Sequence, residues 1–462
     1  MATTTVSIGS NQSIATVTPA STSGSNPYVI TFTSTPSSNV AVGDIFVISD
    51  EVSFFGTYTY LLTDISGSNY TLKQVSDGGA GMGDLSPYGN FDTYDDFFNP
   101  VQAYGIFKRA FSTITLFEAM IDDASPAYWG SSDDVVGECH ADSTFTDNTV
   151  SFDNKQSLAS VKLTVNSDDR HDGTAESGVL WKPTSGSGHN QGILRVGIDS
   201  MTIEWIDFSL DSLDSTNTNK AIVLTGTNDD CIIRNNLIHD KGGNPGSSAG
   251  IAIHVIGAGA SSDTLSILNN IIYNIVETGN DTAQGINTNQ WAGIANIYNN
   301  TIYNIDAEGT TKEAWGIVYG NVASAVVNLK NNLVAKMVAD GATDHERAYQ
   351  KSDGSSTENA SNNLSDDTVT TADYKAPGSD SLQDKTLAQI DFVSTSAGSE
   401  DLHIDDDSVC RQAGVDLGTT NNVNIDIDGF DRDSSGVVWD MGADQTANES
   451  TGNPAFLAFV TD

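Results

Sequence analysis

From Cys231 onward, apolar and polar residues fall into short runs that recur at a nearly fixed step. CIIRNNLIHD (Cys231 to Asp240), LSILNNIIYNI (Leu265 to Ile275), ANIYNNTIYNI (Ala295 to Ile305) and VNLKNNLVAKM (Val327 to Met337) share one outline, and ENASNNLSDD (Glu358 to Asp367) is a decayed copy. Apolar residues alternate before each Asn pair and run nearly unbroken after it, which reads as two short strands joined by a tight corner. Asparagine suits the corner because it tolerates left-handed backbone. The second asparagine falls at Asn236, Asn270, Asn300, Asn332 and Asn363, in steps of 34, 30, 32 and 31 residues. A further strand precedes each corner, opening at Gly250-Ile251, Gly285-Ile286 and Gly316-Ile317, with Ala221 to Leu224 in that place in the first strong copy. Three strands per repeat predict a solenoid, in which each repeat buries its apolar face only against its neighbours. Asn then stacks on Asn and Ile on Ile about 4.8 Å apart.

These residues resemble the right-handed parallel β-helix family, the pectate-lyase-like coils of secreted enzymes and phage tailspikes. The resemblance covers about Val150 to Asp444 and implies an all-β fold of three parallel sheets with a stack of asparagines, Asn236, Asn270, Asn300 and Asn332, lining one corner. It implies little about chemistry, because such coils carry lyases, hydrolases and inert scaffolds alike. FSTITLFEA, GECHAD and LTVNSDDRHDG are similar to segments of β-helix proteins of phages and marine bacteria. Ala413-Gly414, Asp426, Gly429, Arg432, Asp440 and Gly442 to Asp444 resemble the terminal coils of bacterial β-helix proteins and are read as structural closure.

The flanks read differently. Residues 1–85 hold Thr-, Ser- and Val-rich strand runs and form a small N-terminal β domain, followed by a glycine-rich joint at 78–83. Residues 86–148 form a linker, including the Phe/Tyr/Asp tract Asp92 to Asn99, and then a capping helix. In Ser112 to Asp123, Ile114, Phe117, Met120 and Ile121 share a face at helical spacing and Ser112 is placed to cap it. An open coil end is an aggregation hazard, so this helix is expected to be its lid. The coil spans 149–445 and a tail 446–462. Aligning Ile198 and Ile203 with Ile233 and Ile238 puts Met201 at the place of Asn236, so the ladder starts one rung later.

Charge narrows the partners. Against 20 Lys plus Arg stand 61 Asp plus Glu, a net charge of −41, which excludes nucleic acid and an anionic membrane as partners. Of those acids 49 are Asp, a turn former, in keeping with an all-β chain. The opening MATTTVSIGSNQSIATVTPA lacks the basic start and apolar core of a secretory signal, and no run is long enough to span a membrane. Cys139, Cys231 and Cys410 are expected to be small buried residues.

Candidate chemistry is thin. Asn424, Asp426, Asp428 and Gly429 match the first positions of a Ca²⁺ loop, although Ser435 stands where a bidentate acid belongs. Trp291, Trp315 and Tyr319 on successive repeats are candidates for stacking on sugar rings. Carboxylates in the long connections, Asp240 with Lys241, Glu277 and Asp281, Asp306, Glu308 and Glu313, and Asp344 to Arg347, carry no motif that marks any pair as catalytic. His239 and His254 flank strands and read as satisfied residues rather than bases. Three functions stay open: a receptor-binding spike, fibre or decoration protein of a phage-like virion, expected as a homotrimer among other virion proteins; a polysaccharide-degrading tailspike or lyase; and a bacterial surface adhesin or scaffold.

Overall fold

The computed structural model describes residues 3–10, 15–17, 19–23, 28–32, 39–49, 57–77, 104–122, 132–184, 192–211, 220–242, 249–278, 281–308, 312–339, 345–352, 355–434 and 437–446. The glycine joint, the Asp92 to Asn99 tract, Asp344, Ser435 and the tail from 447 lie outside them. The coil is a three-sheet parallel β-solenoid whose sheets hold nine, eight and seven strands. A typical rung runs Thr264–Leu268 in the nine-stranded sheet, Ile271–Glu277 in the eight-stranded sheet and Ala283–Asn287 in the seven-stranded sheet. Every rung pairs in parallel with the next.

Register turns the sequence repeat into a core. Ile233, Ile267, Ile297 and Leu329 stack in one column, Ile238, Ile272, Ile302 and Val334 in a second, and Ile222, Ile253, Ile286 and Ile317 in a third. All are buried. Each such side chain contributes on the order of 1.5–3 kcal/mol, available only because another rung lies above and below.

The first asparagine of each pair makes the corner: Asn235, Asn269, Asn299, Asn331 and Asn362 have φ between 51° and 56°. The second sends its amide along the coil. Nδ2 of Asn236 donates to Oδ1 of Asn270 at 3.1 Å, and the same bond joins Asn270 to Asn300, Asn300 to Asn332 and Asn332 to Asn363 at 3.0 Å. Each Nδ2 also donates to a main-chain carbonyl, in turn those of Ile203, Ile233, Ile267, Ile297 and Leu329. The inner amides from Asn236 to Asn363 are thereby bonded at every one of these rungs, as a dry interior requires, while Oδ1 of the corner residue Asn269 is buried without a partner. The earlier alignment needs correction by five positions: Ile203, not Ile198, pairs with Ile233, so Ile206 stands level with Asn236 and Trp205, at φ 64°, takes the corner.

At one end the helix Ile114–Asp122 covers the coil interior with Ile114, Phe117 and Ile121. Phe117 meets Phe152 edge-on at 6.0 Å, and a Cβ on Gly137 would come within 2.6 Å of its ring. Thr113, rather than Ser112, caps the helix, its Oγ1 accepting the Leu116 N–H. The small β module is an antiparallel sheet of seven strands set between the first two strands of the coil. Thr3–Ile8 pairs with Asp134–Cys139 in the nine-stranded sheet, while Tyr104–Lys108 joins the module. Arg109 rivets module to coil, donating to Asp44 at 3.0 Å and to both oxygens of Asp142 at 2.8 and 3.1 Å.

The C-terminal segment does not continue the coil along its axis. After the strand Leu382–Lys385 it folds back, and Ile390, Phe392, Leu402, Ile404, Cys410, Ile427 and Met441 pack on Leu237, Ile271, Tyr273, Tyr303 and Leu333, side chains borne by strands of the eight-stranded sheet. It then runs across the corners in reverse rung order. Asn362 donates to the Ala413 carbonyl at 3.0 Å, Asn331 to Val415 at 2.8 Å, Asn299 to Val423 at 3.1 Å, and Asn269 to Val423 and Ile425 at 3.1 and 2.7 Å. The closure motif holds this strap. The buried guanidinium of Arg432 donates to the carbonyls of Gly442 and Asp440 at 2.9 and 3.3 Å, while Asp440 accepts the N–H groups of Gln412 and Thr446.

Candidate functional site

The strap shapes one open cleft of about 790 Å³, bounded by Arg170, His171, Trp205, Val393, His403 and Asp428. Three parts of the chain build it. The turn after the strand Ser160–Val165 brings Arg170 and His171; the left-handed corner brings Trp205; the hairpin Phe392–Ser396 and Ser399–Ile404 brings Val393 and His403 beside the turn at Asp428. Arg170 lies with its guanidinium carbon 4.4 Å from the Trp205 ring centroid, and Val393 is 54% exposed, so the floor offers both a cation and apolar surface.

Electrostatically the cleft centres on His403. Its Nδ1 lies 2.5 Å from Asp401 Oδ1 and its Nε2 3.1 Å from Asp428 Oδ1. Burial opposes the imidazolium, but the bond to Asp428, the charge of Asp444 and the bond to Asp401 outweigh it and raise the group to about 10. Asp444 is 5% exposed; its Oδ2 accepts the Ile404 N–H at 3.0 Å and burial pushes its carboxyl above the usual range. His171 is the opposite case, held below its ordinary value by burial, with Nε2 3.0 Å from the Asn235 carbonyl and Nδ1 accepting the Gly173 N–H.

The Ca²⁺ loop expected at Asn424, Asp426 and Asp428 is not formed as such. Asn424 donates to Asp431, and the Asp426 carboxylate accepts the N–H groups of Asp428, Phe430 and Gln445, so both side chains hold a hairpin. Burial pushes Asp426 up to about 7. Only Asp428 turns outward, to His403 and Asp444. The aromatic platform is likewise corrected: Trp291 and Tyr319 are core residues, 1% and 2% exposed, and their ring faces are spent on packing. Trp315 is half-buried, with Arg347 5.6 Å from its ring.

Other candidates are drawn into internal bonds. Lys241 and Glu277 form a fully buried ion pair at 2.6 Å, and Glu313 pairs with Arg347. His239 sits between Asp207 at 2.7 Å and Asp240 at 2.9 Å, stacked on Tyr273; burial opposes its charge, yet the two carboxylates raise it to about 9. His254 goes the other way, lowered to about 3 by burial and by Lys220. The three cysteines are free and buried, their thiols pushed up by desolvation. The sequence reading missed the joining of His403, Asp428 and Asp444. Asp428 was visible in the Ca²⁺-loop match and Asp444 in the closure motif, but His403 stood in no motif of its own chemistry, and nothing local says that the three meet.

No known protein family matches the chain, and no curated protein or solved structure matches it. What defines its class is therefore its own strand register, that of a parallel β-solenoid with a C-terminal strap. No helix among the described residues is long and apolar enough to cross a membrane.

Proposed function

We propose that the protein is a rigid display element, a spike, fibre or decoration protein on the surface of a phage-like particle, assembled with copies of itself as a trimer. The observation that carries this reading is the engagement of its polar interior: carboxylates of the long connections are drawn into structural ion pairs, fully buried at Lys241–Glu277 and partly buried at Glu313–Arg347, and the amide ladder, the helical lid and the strap all resist opening. A solenoid so fastened is stiff and loses its ends least readily, which suits a projecting part. With −41 on each chain, subunit contacts in a trimer need apolar surface or bound cations. Immunogold labelling of particles from the producing organism tests the proposal: gold along the particle surface supports it, and label confined to the cell interior refutes it.

The open cleft favours a second reading, a polysaccharide-processing enzyme, because Arg170 and the exposed apolar side chain of Val393 would bind an acidic sugar beside Asp401 and Asp428. Incubation with acidic and neutral polysaccharides separates the two: new reducing ends or unsaturated products that vanish in Asp428→Asn establish the enzyme, and their absence leaves the display role.

A further inference from the structure

We propose that His403, Asp428 and Asp444 form a divalent transition-metal site, of the zinc class, that clasps the C-terminal strap. Donor atoms of the three side chains, one nitrogen and two carboxylate oxygens, all lie within 4.8 Å of one another. They come from three places in the strap: the strand Ser399–Ile404, the turn at Asp428 and the segment after Gly442. A zinc ion bonds such donors at about 2.0–2.2 Å, so the triangle draws in as the ion binds.

Four features point to an ion rather than to a chance meeting of charges. Asp401 holds His403 Nδ1 and leaves Nε2 facing the two acids, the carboxylate–imidazole arrangement that orients a metal-binding histidine. Asp444, nine-tenths buried, uses one oxygen to accept the Ile404 N–H, and its other oxygen accepts no hydrogen bond among the described residues. Space is kept open over the nitrogen: Gly173, at φ +84°, would place a Cβ 2.6 Å from His403 Nε2. Asp428, its side chain 44% exposed, lies at the cleft mouth, so an ion has a path in. The nitrogen ligand favours zinc-class ions over Ca²⁺, which takes oxygen ligands almost throughout. On binding, the Nε2 proton leaves to solvent, a metal–nitrogen bond replaces the bond to Asp428, and Nδ1 keeps its proton toward Asp401. The remaining coordination position faces the cleft.

The test is calorimetric titration of the intact, EDTA-treated and dialysed protein with ZnCl₂, repeated with CaCl₂, on the parent and on Asp428→Asn, His403→Gln and Asp401→Asn. The expected result is one zinc per chain, weak or no calcium binding, loss of about tenfold or more in affinity in Asp428→Asn and His403→Gln, and a loss of about 10–100-fold in Asp401→Asn, where only the orienting partner changes. Co²⁺ in place of Zn²⁺ should give a d–d absorption band that disappears in His403→Gln. Asp428→Asn, at the solvent edge, guards against a folding defect, and each variant's far-ultraviolet spectrum is compared with the parent's. Zinc binding that is absent, equal in the parent and in Asp428→Asn and His403→Gln, or weaker than calcium binding overturns the proposal.

Discussion

Asn300 sits at the middle of the amide ladder, and its truncation exposes what the ladder contributes. In Asn300→Ala the Asn270 main-chain N–H loses its acceptor at 3.1 Å, and the Asn270 amide loses one at 3.0 Å. The bonds from Asn300 Nδ2 to the Ile267 carbonyl at 2.9 Å and to Asn332 Oδ1 at 3.0 Å also go. An unsatisfied buried N–H costs about 1–3 kcal/mol and each lost bond about 1 kcal/mol, so a total near 3–5 kcal/mol is expected. Asn328 supplies the control. It belongs to a second amide row on the outer face, donating to Asn296 at 2.8 Å and accepting from Asn359, where water replaces what is lost. Asn328→Ala should therefore change stability by no more than about 0.5 kcal/mol. Urea unfolding followed by tryptophan fluorescence, with hydrogen exchange on the 265–275 peptide, reads both. Because a solenoid can open locally, the exchange measurement matters as much as the midpoint. Equal effects of the two substitutions, or an Asn300→Ala penalty under about 1 kcal/mol, would refute the reasoning that buried amides, and not the repeat itself, hold the corner.

Three further outcomes follow from the buried charges. The folded value of His239, about 9, lies above its unfolded value of 6.5, so its contribution is complete below about pH 6.5 and is lost as pH rises through 9. The amplitude is about 3 kcal/mol, and the gap between parent and His239→Gln in urea midpoint should close between about pH 6 and about pH 10; a gap independent of pH contradicts the assignment. At Lys241 and Glu277, either Lys241→Met or Glu277→Leu alone should destabilise by about 3–5 kcal/mol, while the two together should recover most of it. Additive single effects in that cycle would show that the pair does not act as one. Arg432→Met should free the strap, raising proteolytic cleavage between 405 and 446 while leaving the coil's far-ultraviolet spectrum in place; unchanged proteolysis would deny the clasp its role.

The coil was legible because its demands are local. A two-residue corner needs left-handed backbone, a buried inner amide needs its bonds, and both needs select asparagine at the same two positions in the five rungs from Asn235-Asn236 to Asn362-Asn363. Where another residue met the first need, the reading slipped: Trp205 took the corner and Ile206 the inward place, and spacing alone matched the wrong isoleucines. The strap was illegible as a structure because its partners are side-chain amides some 50 to 190 residues away, so it shows no period of its own. The placement of the small β module between the first two coil strands is equally non-local, since it depends on Thr3–Ile8 pairing across more than 120 intervening residues. Trp291 and Tyr319 misled because a large ring beside a strand looks the same in sequence whether it faces the core or the solvent. The metal triad joins Asp428 and Asp444, which had local explanations as a loop match and a closure motif, to His403, which had none, and only the fold-back brings them together.

The account rests on the corners being stacked and on the strap lying across them, and both are open to one measurement. Nuclear Overhauser spectra of ¹⁵N-asparagine-labelled protein should show side-chain amide cross-peaks running in order through Asn236, Asn270, Asn300, Asn332 and Asn363, and from the Asn269 and Asn299 amides to the main chain around Val423. Asparagine amides with no contacts between rungs would contradict the solenoid, and an intact inner series without contacts to Val423 would contradict the strap.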